Sequence, residues 1–433
     1  MNTEILKNCS CGKVHPQLNA EIITEKNATQ KLPAIIRKLG GKVFVLSDVN
    51  THKAAGEKVI GILEKNNILY TGYTFQDASL KPDEKAVGSA VMHFDYSCDV
   101  ILGVGSGVIN DIGKILSRVA NLPYIIVATA PSMDGYASAS SSMDIDGLKV
   151  SLPSKCPDVI IGDTEIMKTA PDRMLKAGLG DMLAKYISIC EWRISHEITG
   201  EYYCENIAQL VRTALKKCID NADGLLKRDE EAVKAVFDGL VLCGAAMAFA
   251  GVSRPASGVE HYLSHVWDMR GLEFGTPVDL HGIQCAIGTF IASKIYKQIK
   301  EIKPNYEKAV KYAESFQINE WNNTLCEFLG KGAKAMIALE KKEGKYSTDN
   351  HKKRIEVIIN KWDRILKIID EEIPKSEEIE ALLDKIEAPK SPSDIGIENK
   401  LLPLTFKASK DIRDKYVLSR LCWDLGIIEE IKL

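Results

Sequence analysis

Three of the chain's eight histidines, His261, His265 and His281, crowd into one short stretch. His261 and His265 stand four apart in SGVEHYLSHVWDM, the spacing that puts two side chains on one helix face. His281 opens a second apolar segment, HGIQCAIGTF, after a loop that holds Gly271, Gly275 and Pro277. Two imidazoles on neighbouring helices and one carboxylate make a divalent-metal site with a coordination position left open. Asp181, in AGLGDMLAK, is the carboxylate the sequence offers. Taken singly, each histidine reads as readily as a packed core or surface residue; the grouping of a scarce residue type is what points to metal. His15, His52, His93, His196 and His351 show no such grouping. Cys9, Cys11 and His15 in CSCGKVH lack the usual zinc-site spacing, and no second cysteine pair follows. That segment reads as structural.

A second candidate is the glycine-rich run Gly103-Val104-Gly105-Ser106-Gly107-Val108-Ile109-Asn110-Asp111, which follows a strand and opens a helix predicted from Ile109. Glycines there allow a tight turn, and backbone N–H groups at a positive helix end suit a pyrophosphate. The strict dinucleotide fingerprint wants glycine where Val108 stands, and an acidic residue about 20 positions later that is missing here. The run also follows the third predicted strand, not the first, so a purely structural turn is the alternative. Asp48, closing the first predicted strand, is placed to accept from an adenine ribose or to cap the next helix.

These residues need a scaffold, and the hydrophobic pattern supplies one. KVFVLS (Lys42 to Ser47), LYTGYTF (Leu69 to Phe75), DVILGV (Asp99 to Val104), PYIIVAT (Pro123 to Thr129) and VIIGD (Val159 to Asp163) are apolar strands separated by helical stretches such as Thr51 to Lys65. That alternation predicts a parallel sheet covered on both faces. Ser141 to Ile145 and Leu148 to Leu152 flank Asp146-Gly147, a hairpin turn. After Pro171 only helical periodicity remains, clearest in Arg173 to Ser195, Glu201 to Leu226, Glu230 to Ala250 and Gly258 to Met269. The expected fold is a Rossmann-like α/β domain over residues 1–168, followed by an all-α domain over residues 169–433.

Composition narrows the function classes. A net charge of −3 carries no basic footprint for nucleic acid. The apolar run Gly239 to Val252 is shorter than the roughly 20 residues a bilayer span needs, so a buried helix and no membrane partner are expected. Eleven cysteines, with no secretory signal visible in MNTEILKNCS, suggest reduced thiols in a cytoplasmic protein. A two-fold homodimer is the expected assembly.

The segments GVGSGVINDIGK, TAPSMDGYASASSSM, GLGDMLAK, SRPASGVEHYLSH and HGIQCAIGT occur in this order over residues 9–295. Together they resemble the glycerol-1-phosphate dehydrogenases, in the superfamily of iron-type alcohol dehydrogenases and dehydroquinate synthases. GSGVIND and CSCGKVH are similar to the bacterial branch; an Arg-Pro pair is commoner in the archaeal branch where Val108-Ile109 stand. The resemblance implies that Gly107, Val108, Ile109, Asn110 and Asp111 hold the cofactor pyrophosphate, with Thr129, Ala130, Pro131, Ser132 and Ser138 on the nicotinamide side. It implies that Asp134 contacts substrate, and that Asp181, His261 and His281 hold a metal, with Asp181 and His265 reaching the substrate and His265 relaying a proton. NAD(P) and one divalent metal, nickel or zinc with iron also suited, are the implied cofactors.

The implied reaction is reduction of dihydroxyacetone phosphate to sn-glycerol 1-phosphate. Glycerol dehydrogenase, without a substrate phosphate, is the alternative. A dehydroquinate synthase-like lyase and a silent nucleotide-binding subunit fit less well, because SRPASGVEHYLSH stands where the lyase has a basic-rich helix and all the presumed metal and proton residues are present. Arg254 and Lys185 are the nearest cations by position for a substrate phosphate.

Overall fold

Six short apolar strands pair into one parallel sheet in the computed structural model, which describes residues 6, 7, 9–146 and 148–433. They are β1 (Glu21–Glu25), β2 (Lys42–Asp48), β3 (Leu69–Phe75), β4 (Val100–Gly105), β5 (Tyr124–Ala128) and β8 (Val159–Asp163), in the order β1-β8-β5-β4-β2-β3. Strands β2, β4, β5 and β8 are buried on both faces, which is why they read as unbroken apolar runs. β6 (Ser140–Ile145) and β7 (Leu148–Pro153) form a separate antiparallel hairpin. Asp146 there takes a positive φ of 51°, as such a turn requires, while Gly147 lies outside the described residues.

Strand β1 is absent from the sequence reading. EIITE has only Ile23 fully buried, and it becomes a strand by pairing along β8 at the sheet edge. The glycine run therefore follows the fourth strand rather than the third. Its helix, α1 (Gly107–Ala120), starts two residues earlier than expected. The helix expected from Glu201 begins only at Glu205 and breaks at Asn221.

The chain divides into two compact units, and the division is not a single cut after residue 168. The first is built chiefly from Val14–Met182 and Thr213–Val252, the second from Cys9–Lys13, Leu183–Arg212 and Ser253–Leu433. In the first unit, Val43, Val45, Leu102, Val104, Ile125 and Ile161 form part of a continuous core with the covering helices. α3 (Glu230–Ala250) belongs here because its apolar side chains lie on the sheet. A Cβ on Gly162 of β8 would come within 2.3 Å of the Phe237 ring, so glycine is what lets this helix approach. By length and composition α3 would cross a bilayer, but 72% of its apolar window is buried inside the protein.

The second unit is helical. α4 (Val259–Phe274) and α5 (His281–Ile299) pack together, with Gly288 of α5 so near Glu260 of α4 that a Cβ would fall 2.7 Å from its carbonyl oxygen. A further core forms around Val266, Trp321, Leu325, Phe328, Leu329 and Met336. Pro171 introduces the long helix α2 (Asp172–Thr199).

Candidate functional site

At the carboxyl end of the sheet, β2 and β4 are neighbours, paired as far as Leu46 and Gly103. Their onward connections lead to opposite sides, β2 to β3 and β4 to β5, so this is the topological switch point where doubly wound sheets bind ligands. Asp48 and Gly105 each stand two residues beyond that last pair. Gly105 is required by packing, since its Cβ would meet Ile109 at 2.5 Å; Gly107 has no such crowding, with Met133 3.4 Å away. Ser106 and Ser132 join the β4 and β5 loops through hydroxyls 2.6 Å apart, and Thr129 N–H donates to the Gly105 carbonyl. Asp48 caps the helical turn after β2, accepting from Asn50 and Thr51 N–H at 2.8 and 3.0 Å. Its carboxylate thus has a structural task whatever else it does.

Several residues of the predicted nucleotide site are tied together from beneath by a cation that the sequence reading missed. Lys114, fully buried on α1, pairs with Asp111 at 3.0 Å and donates to the Ser138 hydroxyl and the Gly135 carbonyl, both at 3.2 Å. Burial raises the Asp111 carboxyl above its ordinary range, against the pull of Lys114. Asn110 donates to the Gly135 carbonyl at 3.1 Å, while its buried Oδ1 has no hydrogen-bond partner among the described residues. The turn Asp134-Gly135 is thereby fixed, and Asp134 N–H donates to Asp181 Oδ2 at 2.9 Å.

The histidine group sits where α4 and α5 pack. The His261 and His281 rings are 4.9 Å apart between centroids, and His265 and His281 are 6.0 Å apart. His261 Nδ1 lies 2.7 Å from Glu260 Oε1, and His281 Nδ1 lies 3.1 Å from the Ser264 hydroxyl. Both rings therefore spend Nδ1 on an orienting partner, the arrangement that turns Nε2 toward a metal. Burial, then the charge of Lys185, holds His261 well below its ordinary pKa, so it is the neutral imidazole that metal ligation needs. Asp181, fully buried on α2, completes a group with His261, His281 and Cys285 in which one donor atom from each lies within 4.8 Å of the others. Imidazole nitrogen, carboxylate and thiol at this spacing suit a transition metal or zinc.

Glu260 is itself supported. Its Oε1 also accepts from Gly258 N–H at 2.7 Å, and Glu191 accepts from Val259 and Leu418 N–H at 3.0 and 2.9 Å. Burial, then the facing charge of Glu260, pushes the Glu191 carboxyl up to about 8. Burial likewise lowers the Lys415 ammonium, which donates to the Ser257 carbonyl, to about 7.

Arg254, considered above for a phosphate, is spent elsewhere. Its guanidinium donates to Glu201, the Ser195 hydroxyl and the Tyr416 carbonyl at 2.7, 3.1 and 2.9 Å. Lys185 donates to the Ala256 carbonyl at 3.1 Å. Cys285, one turn after His281 in HGIQC, was legible by the same four-residue spacing that marks His261 and His265. Glu260, adjacent to His261, offered no signal beyond being charged.

The family model for iron-containing alcohol dehydrogenase matches residues 23–171. The glycerol-1-phosphate dehydrogenase [NAD(P)+] of Halalkalibacterium halodurans is 29% identical over 419 residues, covering 96% of this chain and 95% of that protein. The enzyme of the same name from Thermococcus sibiricus is 35% identical over 295 residues, covering 66% and 81%. Among solved structures, maleylacetate reductase from Agrobacterium tumefaciens shares the fold, with a TM-score of 0.62 and 14% identity over 96% of each chain. The chain thus belongs to the glycerol-1-phosphate dehydrogenase family and has the fold of the iron-containing alcohol dehydrogenases.

Proposed function

We propose that this protein reduces dihydroxyacetone phosphate to sn-glycerol 1-phosphate with NAD(P)H at a divalent-metal site. The observation that carries the reading is the orientation of His261 and His281, whose Nδ1 atoms are engaged by Glu260 and Ser264 beside Asp181. The near full-length similarity to proteins of that name supports the substrate. Asp181, His261 and His281 would hold the metal, with the Cys285 sulfur close by as a soft donor that suits nickel or zinc better than a hard ion. When bound, the metal supplies Lewis-acid polarisation of the substrate carbonyl, and the reduced nicotinamide supplies the hydride.

The chain's own residues do the rest. Glu260 fixes the His261 tautomer by accepting its Nδ1–H. His265, on the same face as His261, delivers the proton that the new hydroxyl needs and recovers it from solvent. Asp134 positions the substrate, and its backbone bond to Asp181 keeps those two carboxylates in register. Gly107 to Asp111 cradle the pyrophosphate at the start of α1, Thr129 to Ser132 and Ser138 line the nicotinamide side, and Asp48 faces the ribose.

We place the enzyme in the cytoplasm as a homodimer. Eleven cysteines with no secretory signal visible in MNTEILKNCS suit a reducing compartment. Light scattering at micromolar concentration checks the assembly, and a monomer there would remove the dimer.

The deciding experiment compares NADH oxidation with dihydroxyacetone phosphate and with dihydroxyacetone. Donors built for a phosphate and left unpaired cost several kcal/mol, so kcat/KM should favour the phosphorylated ketone by roughly 10²–10⁴. The product should resist an sn-3-specific glycerol-phosphate dehydrogenase. Equal turnover of dihydroxyacetone would move the assignment to glycerol dehydrogenase.

A further inference from the structure

A second group of soft donors lies apart from the histidine group. Cys9 and Cys11 come from the N-terminal CSCGKVH, and Cys204 comes from the residue just before helix Glu205–Asp220. The Cys9 and Cys204 sulfurs are 3.4 Å apart although the residues are 195 positions apart in sequence. One donor atom from each of Cys9, Cys11, His15 and Cys204 lies within 4.8 Å of the others. His15 Nδ1 is 2.9 Å from the Phe249 carbonyl oxygen, to which that nitrogen donates, and this bond orients the ring.

We propose that Cys9, Cys11, Cys204 and His15 bind one zinc ion as a closed structural site. Three thiolates and one imidazole are a standard tetrahedral donor set for zinc, with four protein ligands and no position open for substrate. Zn–S bonds of about 2.3 Å at tetrahedral angles put sulfurs roughly 3.8 Å apart, close to the spacing seen. A disulfide needs about 2.05 Å, and would leave Cys11 and His15 without a task.

The surroundings fit metal thiolates. Asn206 Nδ2 donates to the Cys9 sulfur at 3.3 Å, and the Tyr202 hydroxyl lies 3.4 Å from the Cys11 sulfur. Cys204 is fully buried just before a 16-residue helix, and burial pushes its thiol up, so it is the ion itself that would draw off the proton. Lys13, within the same loop, lies over the Tyr202 ring at 3.7 Å and holds the segment against it. The ion would close a covalent loop of some two hundred residues, a crosslink that constrains the unfolded chain more than any local contact does.

The test uses full-length protein purified under reductant and without chelator. Metal analysis should give two equivalents per chain in the wild type, and one each in Cys204→Ser and in His261→Ala. Cobalt(II) exchanged into a Cys285→Ser background should give thiolate-to-cobalt charge-transfer absorption. That absorption should survive His261→Ala and weaken by about a third in Cys11→Ser, whose half-exposed side chain leaves folding, read by circular dichroism, unchanged. Zinc release to a chromophoric chelator should be at least tenfold faster in Cys11→Ser. A cobalt protein without thiolate absorption would overturn the proposal, as would a Cys9–Cys204 disulfide found by mass spectrometry in the reduced preparation. None of these readouts depends on which ketone the enzyme reduces.

Discussion

The two donor groups differ in donor type and in support. The first takes two imidazoles, a carboxylate and a thiol from helices, and a carboxylate behind His261 and a hydroxyl behind His281 aim their rings. The second takes three sulfurs and one imidazole, with three donors from an irregular N-terminal segment and one from a helix start. Mixed nitrogen and oxygen donors leave an ion able to accept a substrate oxygen; a sulfur-rich set saturates it. If both proposals hold, a reactive and a structural site share one chain without competing for the same role.

The largest effect that would break this comparison comes from His261→Ala. Activity should fall to background together with the loss of one metal equivalent, while the sulfur-rich group keeps its own ion. Elemental analysis beside a turnover assay reads both, and retained activity with full metal would remove His261 from the site.

His265→Asn should sharpen the division within the first group. The role proposed for it is proton relay, so metal should stay bound while kcat falls by about 10²–10⁴. Loss of metal would make His265 a ligand. Glu260→Gln comes next, because an orienting partner typically contributes about 10–100-fold in metal affinity. Competition with a chelator measures it, and an unchanged affinity would mean that Glu260 only fills space.

A smaller effect is expected at the sheet. Asp48→Ser should raise NADPH use relative to NADH several-fold, because a like charge no longer faces the 2′-phosphate. Serine still caps the turn, so stability should hold. An unchanged ratio of kcat/KM values would leave Asp48 as a cap alone.

The smallest is a pH slope. Glu191 has a folded-state pKa of about 8 against an ordinary 4.5, so the folded protein holds a proton there that the unfolded chain releases. Stability from this group is fully present below about pH 4.5 and is lost as pH rises through about 8. Glu191→Gln should flatten that decline in apparent melting temperature, and an unaltered slope would mean that another group sets it.

Local spacing made part of this molecule legible. His261 and His265 announce themselves because four residues bring side chains onto one helix face, and β2, β4, β5 and β8 because strands buried on both faces must be apolar throughout. The glycine run was legible as a strand-to-helix turn for the same local reason. Strand β1 escaped because EIITE is half polar and gains its hydrogen bonds only by lying along β8. Glu260 and Lys114 escaped, and Arg254 was placed at a phosphate, because a charged side chain carries no sequence mark of being buried; the partners that make burial tolerable come from other segments.

The sequence by itself determined the kinds of donors and the helices and strands that carry most of them. Tertiary structure alone decided which donors meet. CSCGKVH reads as a structural stretch until Cys204 arrives from far along the chain, and Arg254 reads as a phosphate binder until Glu201, Ser195 and Tyr416 consume its hydrogen bonds. The physical reason is range: periodicity records how a residue faces its own element, whereas coordination and charge pairing depend on atoms a few ångströms away that are hundreds of residues distant in sequence.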